Sequence, residues 1–197
     1  VRNRGHDDAI TDEHLMPLRY FGDQVLRRHA ADVPDITGEL VEFGRTMLVT
    51  MDHEVGIGLA APQVGRSIRM LVHGLPEDAP PVLFNPVIVE SSGESVYQEG
   101  CLSIPGLYID VVRPSEIHLR AWDDQGNEVD LDADGMLARV VQHEMDHLDG
   151  LLFVDRISVE DRITAEAELR KRVAGTLGTS DPFLTGKAIK ALLRKHA

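Results

Sequence analysis

Hydrophobic positions change their spacing three times along this chain. In "GELVEFGRTMLVTMDHE", Leu40, Val41, Met47, Leu48 and Met51 recur at helical intervals, and Thr37 stands where an N-cap belongs. From Ser67 to about Leu131 the texture becomes short and β-branched: "IRMLVH", "VLFNPVIVE", "LYIDVVR", "EIHLRAW" and "EVDL". Pro, Gly, Asn and Asp separate these runs, and "DDQGN" from Asp123 to Asn127 reads as a hairpin turn. Helical spacing returns at Asp134 and is expected to continue past Gly150. Strands clustered between helices predict an α+β fold, not an alternating βαβ chain. Residues 1–14 are polar without period and read as a loose tail.

The composition narrows the class. With 197 residues, 43% of them hydrophobic, the chain can build one domain with a real core. A net charge of −13 argues against nucleic acid, DNA in particular, as the partner of the whole molecule. A single cysteine, Cys101, excludes an internal disulfide. No apolar run approaches a membrane span, so a soluble cytoplasmic protein is expected.

The chemistry concentrates in "QHEMDHLDG", Gln142 to Gly150. On a helix, His143 and His147 project from one face and can hold one metal ion, with Glu144 beside them. Two core histidines satisfied by hydrogen bonds would explain the spacing as well. Glu144 inside the motif and the apolar neighbours Leu137, Val140 and Leu148 favour metal. Arg139, at the edge of the same face, reads as a solvated charge. The third ligand stays open on residues alone. Where one metalloprotease pattern would place a third histidine, this chain has Phe153. Glu166 and Glu168 lie on a later, charge-rich helix. Cys101, in "QEGCLSIPG", would complete three protein ligands and leave a position for water.

"GIGLAAPQVG", Gly56 to Gly65, contains Gly-x-Gly-x-x-Ala. It is not a dinucleotide fingerprint, because helical texture precedes it and Pro62 interrupts the helix that should follow. A backbone that must approach something closely is the alternative to a plain tight connection. Gln63 then offers a neutral amide donor.

Taken together and in this order, "GIGLAAPQVG", "EGCLS" and "QHEMDH" resemble the three motifs of the peptide deformylase family. "LRYFGDQVLR" resembles the family's amino-terminal segment, with Gln24 where a proline is common. Arg113 sits where the family has an arginine that pairs with the glutamate corresponding to Glu99. The resemblance runs from about Leu18 to Ile157. It implies removal of the N-formyl group from the initiator methionine of nascent polypeptides, and antiparallel sheets packed around a central metal-binding helix. It implies Cys101, His143 and His147 as metal ligands, and Glu144 as general base and then acid. Gln63 and the Leu102 N–H would face the oxyanion, and Gly58 would offer main-chain groups to the peptide. Fe(II) is the ion it implies, with Zn, Ni or Co able to replace it. Methionine specificity needs an apolar pocket, for which Ile57, Met136 and Val140 are candidates. A metalloprotease using Glu166 or Glu168, and a non-catalytic metal-binding module, are the rival readings.

The expected organisation is a tail over 1–14, a catalytic metallohydrolase domain over 15–158 and a helical extension over 159–197. "GKAIKALLRKHA" closes the chain with Lys187, Lys190, Arg194 and Lys195 and no acidic residue. Its spacing predicts a short amphipathic helix, either packed back on the domain or free to meet the phosphate-rich ribosome.

Overall fold

The computed structural model describes residues 15–75 and 79–177, with side chains in the last helix described to Leu169. The tail over 1–14 and the basic segment from Lys187 lie outside the described residues. Helix α1 spans Gly38–His53, and the Thr37 side chain accepts a hydrogen bond from the Leu40 N–H at its start. Strands follow at β1 (Gly58–Ala60), β2 (Met70–His73), β3 (Val82–Ser92), β4 (Ser95–Cys101), β5 (Ile104–Arg113), β6 (Glu116–Trp122) and β7 (Glu128–Asp134). Helix α2 covers Gly135–Leu148 and α3 covers Val159–Leu177.

The strands form two antiparallel sheets. One is five-stranded in the order β1-β2-β3-β6-β7, and the other is the β4–β5 hairpin. Asp123 to Asn127 make the β6–β7 turn, where the Asp123 carboxylate accepts from the Gln125 and Asn127 backbone. Three apolar clusters hold the layers. Leu137, Val141 and Leu148 of α2 pack with Leu71, Leu83 and Leu119 of the large sheet. Met47 and Met51 of α1 pack with Leu59, Met70 and Val72. Ile104 and Val111 of the hairpin pack with Leu26, Phe153, Ala165 and Leu169, so the first turns of α3 lie against the body.

Every residue of α2 from Leu137 to Leu148 is buried. This is the central helix, held between the large sheet and the hairpin. It does not continue past Gly150, as the sequence spacing had suggested. It stops at Leu148, and Gly150 turns the chain with φ +74°, where a Cβ would lie 2.9 Å from the Arg27 backbone. A left-handed residue pressed against another backbone favours glycine and excludes more helix.

Candidate active site

With α2 buried, His143 and His147 leave one face together, and their rings meet edge to face at 5.3 Å. The hairpin brings Cys101 to them at the last residue of β4. Cys101 Sγ lies 3.3 Å from His147 Nε2. One ligand atom from each of Cys101, His143 and His147 falls within 4.8 Å of the others, the only such metal-capable group among the described residues. Glu166 is instead hydrogen-bonded to Arg162 on α3. Phe153 stacks on the His143 ring at 6.0 Å, so it packs against a candidate ligand instead of supplying one.

The donor set suits a divalent ion. His143 donates from Nδ1 to Glu99 Oε2 at 2.8 Å, which leaves Nε2 with its lone pair available. Burial, with the Arg113 charge nearby, holds His147 well below its ordinary value, as a neutral ligand requires. A thiol with two imidazoles is a three-ligand set that keeps one position open.

Glu99 anchors this arrangement. Burial alone would raise its carboxyl, but hydrogen bonds from Arg113 and His143 hold it well below the usual carboxylate range. Arg113 donates to Glu99 from Nε at 2.6 Å and from NH2 at 2.9 Å, and from NH1 to Asp146 at 2.8 Å. The resemblance anticipated the Glu99–Arg113 pair. The bond from His143 to Glu99 and the share taken by Asp146 were not anticipated. Arg139 overturns its reading as a solvated charge. It is buried, donates to Glu99 at 2.9 Å, and reaches the Val111 and Ser95 carbonyls. A guanidinium can be buried there because both of its terminal nitrogens find acceptors.

Glu144 is buried beside the candidate ligands, and burial pushes its carboxyl up to about 7. Its Oε2 has no hydrogen-bond partner among the described residues. Such an orphaned acceptor fits a group that meets substrate or solvent. The β1 edge passes over it at Gly58, where a side chain would strike the carboxylate. This close approach is what the glycine-rich stretch provides; β1 itself was not legible in it.

Gln63 is fully buried and its amide is oriented. Oε1 accepts from the Ala60 N–H at 2.7 Å, while Nε2 donates to Ser103 Oγ at 3.2 Å and to Cys101 Sγ at 3.6 Å. Ser103 is thus a site residue that sequence reasoning missed, although it closes the quoted "EGCLS". Leu102 and Ser103 join β4 to β5 in a two-residue turn. A cavity of about 560 Å³ collects these parts. Gly58, Gln63, Cys101, Leu102, His143 and Glu144 line it, with Ile57, Met136 and Val140 contributing apolar wall.

Known proteins resemble this chain in sequence and in fold. The sequence model of a family described as polypeptide deformylase matches residues 15–162. The peptide deformylase of a Picosynechococcus species is 45% identical over 167 residues, covering 82% of this chain and 88% of that protein. The peptide deformylase of Chlorobium phaeobacteroides is 41% identical, covering 90% and 98%. Among solved structures, a Synechococcus elongatus peptide deformylase in complex with actinonin superposes with a TM-score of 0.73 at 48% identity, over 78% of this chain and 86% of that one. The Thermus thermophilus enzyme gives a TM-score of 0.76 at 36% identity, over 91% and 99%.

Proposed function

The chain belongs to the peptide deformylase family, and on that premise we propose that Cys101, His143 and His147 hold its metal while Glu144 moves the protons. The activity is metal-dependent hydrolysis of the N-formyl group from the N-terminal methionine of newly made polypeptides, with release of formate. The observation that carries the site assignment is the convergence of one thiol and two imidazoles beside a buried carboxylate with one oxygen unpartnered among the described residues.

An ion held by these three residues would supply Lewis acidity near the attacking water and the formyl carbonyl. We take that ion to be Fe(II), with Zn, Ni or Co able to replace it, since one thiolate and two imidazoles accept each of them. Glu144 takes a proton from the attacking water and returns it to the leaving amine. Its raised pKa keeps both protonation states within reach near neutrality. The Gln63 amide, oriented by Ala60 and Ser103, donates to the developing oxyanion with the Leu102 N–H. The peptide pairs through main-chain groups along β1 at Gly58, an edge strand of the large sheet. Ile57, Met136 and Val140 receive the methionine side chain.

No helix among the described residues is long and apolar enough to cross a membrane. The basic segment carrying Lys187, Lys190, Arg194 and Lys195 lies outside the described residues, and its charge fits docking to ribosomal phosphate. Anaerobic, ferrous-loaded protein should release formate from a formyl-Met peptide and leave internal peptide bonds intact. Cleavage of internal bonds would favour a metalloprotease. Metal uptake without any turnover would favour a binding module.

A further inference from the structure

Helix α1 ends in a Schellman motif. The Gly56 N–H returns to the Met51 carbonyl at 2.9 Å, and the Val55 N–H returns to Asp52 at 3.1 Å. This motif places one residue in the left-handed region, ordinarily a glycine. Here that residue is Val55, at φ +59°, and the glycine comes one position later. A β-branched side chain is the least suited to that backbone.

The two hydrogen bonds would form equally with glycine at this position, and almost no side-chain burial within the described fold repays the strain. Val55 is 89% exposed, more than any other large apolar residue described. Strained residues held without internal packing point to function. Val55 lines the catalytic cavity, one residue before the Gly56–Gly58 stretch. Ile57 at 51%, Tyr97 at 50% and Tyr108 at 65% exposure line the same cavity. Four solvent-facing apolar side chains thus rim the site that takes the peptide.

We propose that Val55 is a specificity-determining residue, strained in order to present an apolar contact to a side chain just downstream of the formyl-methionine. The inference rests on the reading of this cavity as the peptide site. The contact forms only when the peptide is bound, so its gain appears in substrate preference and its cost in stability.

The test uses the metal-loaded full chain and formyl-Met tripeptides in which the second and third residues are varied singly between Leu and Ser. Formate release gives kcat/KM for each. The native enzyme should favour Leu at one of these positions by roughly three- to tenfold, as partial burial of one apolar side chain provides. Val55→Thr keeps the shape and the strain but replaces a methyl by a hydroxyl, and Val55→Gly relieves the strain. Both should bring the Leu/Ser ratio toward unity, and Val55→Gly should raise Tm by roughly 2–4 °C. Three results would overturn the proposal: ratios unchanged in both variants, a uniform fall across all peptides in Val55→Gly, or a lower Tm in that variant. Absence of formate release by the native enzyme from every peptide would instead refute the underlying site reading.

Discussion

The backbone of Gly58 passes so close to Glu144 that a Cβ at position 58 would lie 2.5 Å from Oε1 and 2.7 Å from Val140 Cγ1. Glu144 Oε1 ends a flexible side chain, whereas Val140 Cγ1 belongs to a stiff, buried valine of α2, so an alanine would displace the carboxylate and press β1 off the helix. Gly58→Ala should therefore keep its metal and lose on the order of 10²-fold in kcat/KM, the cost of misplacing a reacting group by about 1 Å. Steady-state kinetics with metal analysis on one preparation checks this. Near-native kinetics would show that Glu144 tolerates the shift.

The Gln63 amide is held at both ends, and the two holds are unequal. Gln63→Leu should lower kcat by roughly 10²–10³-fold if the amide donates to an oxyanion. Ser103→Ala removes one acceptor but leaves the bond from the Ala60 N–H, so its loss should be smaller. A Gln63→Leu variant that raised only KM would make the residue a substrate binder instead.

Glu99 joins a ligand to two buried guanidiniums. Glu99→Gln should weaken metal binding by roughly 10–100-fold, the usual effect of losing the partner that orients a ligating histidine. Glu99→Ala should also cost about 3 kcal/mol, the lower end for a broken buried pair, because Arg113 keeps Asp146. Competitive chelation and denaturant melts separate the two effects. Native metal affinity in Glu99→Gln would remove Glu99 from the ligand's support.

Cys101 is partly exposed and its thiolate is oxidisable. The ferrous enzyme should lose activity in air or peroxide faster than a nickel-substituted form. Equal lifetimes of the two forms would count against an iron–thiolate centre.

Local signals were legible in the sequence where they are local in the fold. The His143–His147 spacing and the Thr37 cap depend only on one helix each, and the Asp123–Asn127 turn only on itself. Strand β1 is three residues long and glycine-led, so it carries no period. Strand β4 reads "SVYQEGC", with a single buried residue and no clear alternation. Arg139 looked like a surface charge because its acceptors, Glu99, Val111 and Ser95, lie 28 to 44 residues away. The Glu99–His143 and Gln63–Ser103 bonds likewise cross 44 and 40 residues. Only tertiary packing brings such partners together, and single-helix periodicity carries no trace of it.

The central claim is that Cys101 completes the metal centre on which formyl hydrolysis depends. Metal content and formate release, measured together on anaerobically loaded native protein and Cys101→Ser, test it most directly. The native protein should bind the ion stoichiometrically and turn over, while the serine variant should lose most of both. A variant that kept stoichiometric metal and native turnover would contradict it.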